Sequence, residues 1–260
     1  MCVAQERSVI VVRFVMLAAL AAGCGRLGFA RTSDATPLVD VGADPDIVVG
    51  GDAPAIMGPP AMVQASTVVV DSNGVTVTLA TPSTPGTLLV ATFASNGVNP
   101  IGLPPSWVEV AHIGTGGGCT VTIAFEANNP GNETSVAFTQ GAGIPILAQL
   151  TEWSGVTSSP LDAPGTATSA SPTTSQLVQT GTSTTVAGEL GVDVFCEDVN
   201  SPTFTPGTGW TNLGSFSNVA SAPSFASHFQ LDLPVGMAIE TQTSSVQGKY
   251  SAVIATFRPQ

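Results

Sequence analysis

The sequence predicts an all-β protein, a β-sandwich or jelly roll built from two related halves. Three observations carry this. Charged residues make up only 9% of the 260-residue chain, against about a quarter in ordinary soluble domains. Helix surfaces draw on Glu, Lys and Arg, and this chain has few of them. It is rich instead in Thr, Ser, Val, Ala and Gly, which favour strands and turns, and its short apolar runs are separated by Gly, Pro or Asn.

Taken in chain order, Arg7 and Arg13 precede an apolar run from Phe14 to Ala22, and small residues follow. A basic start, a short apolar core and small residues make a secretory signal over residues 1–23. The run is about half of the roughly 20 apolar residues that cross a bilayer. Leu20-Ala21-Ala22-Gly23-Cys24 resembles the lipobox of bacterial lipoproteins. That resemblance implies cleavage before Cys24 and a lipid on its thiol. Gly25 follows the cysteine rather than Asp, and by analogy with enterobacterial sorting this points to the outer membrane, on its periplasmic or surface face.

Residues 24–62 carry Asp34, Asp40, Asp44, Asp46 and Asp52 among Ala, Gly, Pro, Val and Thr, without apolar periodicity. This reads as a flexible acidic tether. From Val63 onward the signals are strands. Thr67–Val70 and Val75–Leu79 flank Asp71-Ser72-Asn73-Gly74, and Asn-Gly between alternating runs predicts a hairpin. Further strands are expected at Thr87–Phe93, Thr120–Glu126, Thr134–Thr139, Ile146–Trp153, Gln176–Gln179, Glu189–Phe195, Phe225–Leu231, Met237–Thr241 and Tyr250–Phe257, with Thr166–Ser175 as a connection.

Within residues 63–260 the pattern repeats. Gly86 and Gly188 lie 102 positions apart, as do Phe93 and Phe195; Trp107 and Trp210 lie 103 apart; Phe125 and Phe229, and Trp153 and Phe257, lie 104 apart. So small a drift over successive landmarks marks an internal duplication, with halves at about 63–165 and 166–260. The halves interleave as one jelly roll or stand as tandem sandwiches. One domain is favoured, because four or five strands alone leave exposed edges. Gly86-x-Leu88-Leu89-Val90, Pro104-x-x-Trp107, Glu152-Trp153-Ser154-Gly155-Val156 and Pro160-Leu161-Asp162 resemble a β-sandwich module of bacterial exported proteins and of phage-tail or adhesin-like proteins. The resemblance implies a fold and no activity.

The net charge is −12, and after Arg31 the only basic residues are Lys249 and Arg258. Clustered Lys and Arg are what phosphate backbones require, so nucleic acid is excluded as a partner. Of the four cysteines, Cys2 leaves with the signal and Cys24 takes the lipid. Cys119 and Cys196 remain as a disulfide pair in an exported chain, or as two buried thiols.

The candidate chemistry is sparse. Trp107, Trp153 and Trp210 either stack on sugar rings as a binding platform or plug the core, and recurrence at repeat-equivalent places favours the core. Glu109, Glu126, Glu152 and Asp193 lie in or near strands, with Glu126 and Glu152 the best pair for glycoside chemistry, but no spacing singles them out. His112 and His228 have no metal-ligand partner at useful spacing, so no metal site is expected. Asp71-Ser72-Asn73 and Glu197-Asp198-Val199-Asn200 offer oxygens to calcium, although one turn alone is insufficient. Gly114–Gly118 lacks the Lys-Ser/Thr ending of a phosphate loop. No serine-hydrolase motif is present. The sequence therefore points to a non-catalytic surface binding or adhesion module anchored to the membrane by its lipid, with polysaccharide as one ligand class. The alternative is a structural or assembly component that binds another envelope protein, and a glycan-active enzyme stands third.

Overall fold

The computed structural model describes residues 58–114, 118–141, 143–217 and 222–260. The signal, the lipobox cysteine Cys24 and nearly all of the tether lie outside the described residues, as do residues 115–117 of the glycine run. Sixteen strands and no helix are found among the described residues. The first half forms a large antiparallel sheet in the order β1 (Ala61–Ala65), β8 (Ile146–Ser154), β4 (Leu88–Ser95), β6 (Thr120–Glu126), β5 (Val108–Gly114), with β2 (Val69–Asp71) also paired to β8. The second half repeats it: β9 (Val156–Thr168), β16 (Tyr250–Pro259), β11 (Glu189–Glu197), β14 (Ser224–Leu233), β13 (Thr211–Phe216). Each half adds a small sheet, β3 (Gly74–Thr78) with β7 (Ser135–Thr139), and β10 (Thr173–Gln179) with β15 (Ile239–Gly248) and β12 (Phe204–Thr205).

Apolar clusters order these sheets into layers. One cluster joins Val90, Ile123 and Leu147 to Val192, Phe225 and Val253, so the two large sheets face each other. A second joins Ala91 and Phe93 to Val77 and Phe138, and a third joins Phe195 and Ile254 to Val178. The order is thus small, large, large, small. Strands β4 and β11 are covered on both faces, and every residue in them is buried. This is why β4 reads as a largely apolar run, whereas β3 and β7 alternate; β11 is as deeply covered but carries Glu189, Asp193 and Glu197.

The duplication extends to single residue pairs. Val90 opposes Phe125 and Leu88 opposes Trp153; in the second half Val192 opposes Phe229 and Leu190 opposes Phe257. A bulge between Glu109 and Ala111 recurs between Asn212 and Gly214. Gly86 and Gly188 share a φ of +81° and +83°, and their amides donate to Asn129 O and Leu233 O. Across the central layer Trp153 meets Phe229 with ring centroids 5.2 Å apart, and Phe125 meets Phe257 at 5.6 Å. The two contacts exchange equivalent residues between the halves, the reciprocity of a two-fold interface.

The sheet topology decides an alternative that the sequence leaves open, and it departs from the sequence reading at two places. No strand of either half enters the other's sheets, so the halves do not interleave. Nor do β2 and β3 form a hairpin. The first pairs with β8 and the second with β7, and Asn73-Gly74 carries the chain from a large sheet to a small one. Gly74 has a φ of +134°, and a Cβ there would lie 2.7 Å from Phe138 O, so glycine is needed for the close approach. Finally, the chain passes to the second half at Gly155, not near 165. Residues 156–168 form β9, an edge strand paired in its sheet only with β16. Its Pro160 and Pro164 resemble a linker in sequence, yet an edge tolerates their missing N–H groups.

Candidate functional site

The two halves differ most in the layer between large and small sheet. In the first half this layer is apolar: Ala91 on β4 opposes Ala124 on β6, and Val136 on β7 pairs with Val77. At the equivalent places the second half holds Asp193 on β11, His228 opposite it on β14, and Glu240 on β15, paired with Val178. All three have no exposure to solvent. Next to them, Gln176 and Gln242 share an amide hydrogen bond of 2.5 Å where the first half pairs Val75 with Phe138.

His228 Nδ1 lies 2.9 Å from Asp193 Oδ1, which also accepts the His228 amide at 3.1 Å. The same ring nitrogen lies 3.8 Å from Glu240 Oε1, an atom that accepts the Gly207 amide at 2.8 Å. Asp193 Oδ2, His228 Nε2 and Glu240 Oε2 are buried and make no hydrogen bond. Burial pushes the Asp193 carboxyl up, against the pull of His228. It pushes Glu240 up to about 7, with Asp193 adding repulsion. For His228 burial works in the opposite direction, but Asp193 and Glu240 outweigh it and raise the imidazole. One ligand atom from each residue falls within 4.8 Å of the others, a donor set of imidazole and two carboxylates that suits a metal ion.

From the sequence no metal site is expected at these residues, and Asp193 reads only as an unpaired strand carboxylate. Asp193, His228 and Glu240 are scattered along the chain, and only cross-strand register brings them together. The available signal was the duplication itself, because offsets of 102 and 104 set Asp193 and His228 against Ala91 and Ala124.

The other candidates fall differently. Trp153 is fully buried, and Trp107 and Trp210 are 7% and 6% exposed. They form no sugar-stacking platform. Trp107 packs edge-on against Phe138, Trp153 Nε1 donates to Thr151 Oγ1, and Trp210 Nε1 donates to Ile239 O. The described Phe and Tyr rings are also buried or half-buried. Cys119 and Cys196 form a disulfide with Cα atoms 6.1 Å apart, joining the two large sheets. Glu126 and Glu152 flank Leu89 on neighbouring strands, but both are sealed from solvent. Glu152 is held by Gln64 Nε2, the Thr84 amide and Thr87 Oγ1 at 2.6–2.9 Å. The second half reverses that last pair in sequence: Glu189 stands in place of Thr87 and Thr256 in place of Glu152, and both Glu189 oxygens are buried without a hydrogen bond.

The calcium turns hold their oxygens otherwise. Asp71 Oδ1 accepts the Ser72 amide and Asn73 Oδ1 the Gly143 amide, while Glu197 is buried on Ser244 Oγ. Outside the core, a groove of about 410 Å³ is lined by Val110, Ala111, Pro164, Gln179 and Met237. No family model matches the chain, and neither does any curated protein or solved structure.

Proposed function

We propose that the chain is an exported, lipid-anchored bacterial envelope protein that acts as a non-catalytic binding module, with a partner protein rather than a polysaccharide as its ligand. One observation carries the choice of ligand. The aromatic side chains that would stack on sugars are in the core, while Leu177, Met237 and Ile239 are exposed by 43%, 41% and 48% beside the groove. Leu177 and Ile239 sit diagonally on the outer face of β10 and β15, among Ser175, Gln179, Thr241 and Thr243. An uncharged face with apolar points suits another protein surface. The lipobox-like segment and the Cys119–Cys196 disulfide both support a place outside the cytoplasm.

The test is photo-crosslinking in cells from a reactive residue at Leu177 or Ile239 of the full chain, with Thr76 on the outer face of β3 as control. A single envelope protein captured from the first two positions and not from Thr76 is expected. Saturable glycan binding without any crosslink would return the polysaccharide reading. A labelled fatty acid should be incorporated into the full chain and not into Cys24→Ser, and its absence from the full chain would refute the anchor.

A further inference from the structure

We propose that Asp193, His228 and Glu240 bind one divalent first-row transition metal ion, zinc by ligand chemistry, which pins the small sheet of the second half to its large sheet. The proposal is independent of the partner reading above. Ligand atoms about 2.0–2.1 Å from a tetrahedral ion stand about 3.3 Å apart. The distances from His228 Nδ1 to Asp193 Oδ1 and to Glu240 Oε1, 2.9 and 3.8 Å, bracket that spacing. The ligands come from both layers, two from the large sheet and one from the small, so an ion between them acts as a cross-link.

Two further observations point to a ligand. Asp193 Oδ2 and Glu240 Oε2 are buried without a partner, so each carboxylate keeps a second oxygen for the ion. Native cores seldom leave such atoms unsatisfied. With both carboxylates ionised and the imidazole neutral, the ligand set carries two negative charges, which a divalent ion balances. The fold itself does not require these residues, since the first half closes the same layer with Ala91, Ala124 and Val136. The Gly207 amide on Glu240 Oε1 supplies the outer support that orients ligating carboxylates. All three residues are sealed from solvent, so the ion loads as the chain folds, with a second carboxylate oxygen, Asp193 Oδ2 or Glu240 Oε2, for its fourth position.

The experiment refolds the full chain from chelator-treated, denatured protein with and without Zn2+, and reads metal content per chain and the unfolding midpoint. Co2+ in place of Zn2+ adds a visible ligand-field spectrum. One zinc per chain and a raised midpoint are expected. The variant D193A/H228A/E240V, which installs the first half's own residues, should refold and hold none. Glu240→Gln keeps the size of the side chain and should weaken binding by at least the 10–100-fold that loss of an outer-shell partner costs. Zinc below about 0.1 per chain, or equal zinc in wild type and Glu240→Gln, overturns the site. Uptake of Ca2+ or Mn2+ with no Zn2+ or Co2+ overturns the metal class.

Discussion

The Cys119–Cys196 disulfide gives a prediction whose size follows from the fold. The bond closes a stretch of 77 residues and ties the first large sheet to the second across the central layer. Cross-linking a loop of that length removes about 4.5 kcal/mol of chain entropy from the unfolded state in the loop-closure treatment. Domains are stable by only about 5–15 kcal/mol in total, so loss of this bond should remove much of the margin. Reduction is a cleaner perturbation than substitution, because no buried atom is deleted. The assay is equilibrium unfolding in guanidinium with and without a phosphine reductant, followed by fluorescence of the buried Trp107, Trp153 and Trp210. With a denaturant slope of about 5 kcal/mol/M for a domain of this size, the midpoint should fall by about 0.9 M. Both sulfurs are sealed, so the folded protein should resist reduction until it opens. A midpoint shift below about 0.2 M would refute the reasoning, as it would mean that the bond hardly constrains the unfolded chain.

Stability should also depend on pH in an unusual direction. Burial pushes Glu189 and Glu197 up to about 7 from an ordinary 4.5. The folded chain therefore binds more protons than the unfolded one between those values, and stability falls as pH rises through that window, by up to about 3 kcal/mol for each group. Asp162 works the other way. Burial would raise it, but the neighbouring Glu189 and hydrogen bonds from Thr185 and Arg258 hold it at about 2, so its contribution is lost as pH falls from 3.8 toward 2. Thermal unfolding from pH 3 to 9 should peak near pH 4–5, and Glu197→Gln should flatten the alkaline side; a maximum at pH 8 would contradict this. Gly86→Ala and Gly188→Ala should each cost roughly 1 kcal/mol, because the left-handed φ strains a side chain while no non-neighbouring atom lies closer than 3.8 Å to the added Cβ. Clearly unequal losses in denaturant unfolding would show that the two turns are not equivalent.

The strands legible in the sequence are chiefly those in the middle of the sheets. The run Leu88–Phe93 is covered on both faces, and burial writes itself into its composition. The strands that escaped notice are at edges: β1, β5, β9, β12 and β13. Edge strands are half wetted, tolerate Pro, Ser and Gly, and so resemble loops. The Asn73-Gly74 turn shows the limit of local chemistry. Its backbone geometry is local, but the strands on either side pair with β8 and β7, more than sixty residues further along the chain. The buried Asp193–His228–Glu240 cluster was hidden for a related reason, because its members meet only through register.

By itself the sequence determined the all-β class, the existence of two related halves and the acidic, cation-poor character. Each of these follows from composition and spacing, which act residue by residue along the chain. Tertiary structure alone decided that the halves stand back to back, that all three tryptophans are core, and that one layer is apolar while its twin is polar. Those outcomes depend on which faces cover which, and burial is a property of the packed sheets rather than of any segment within them.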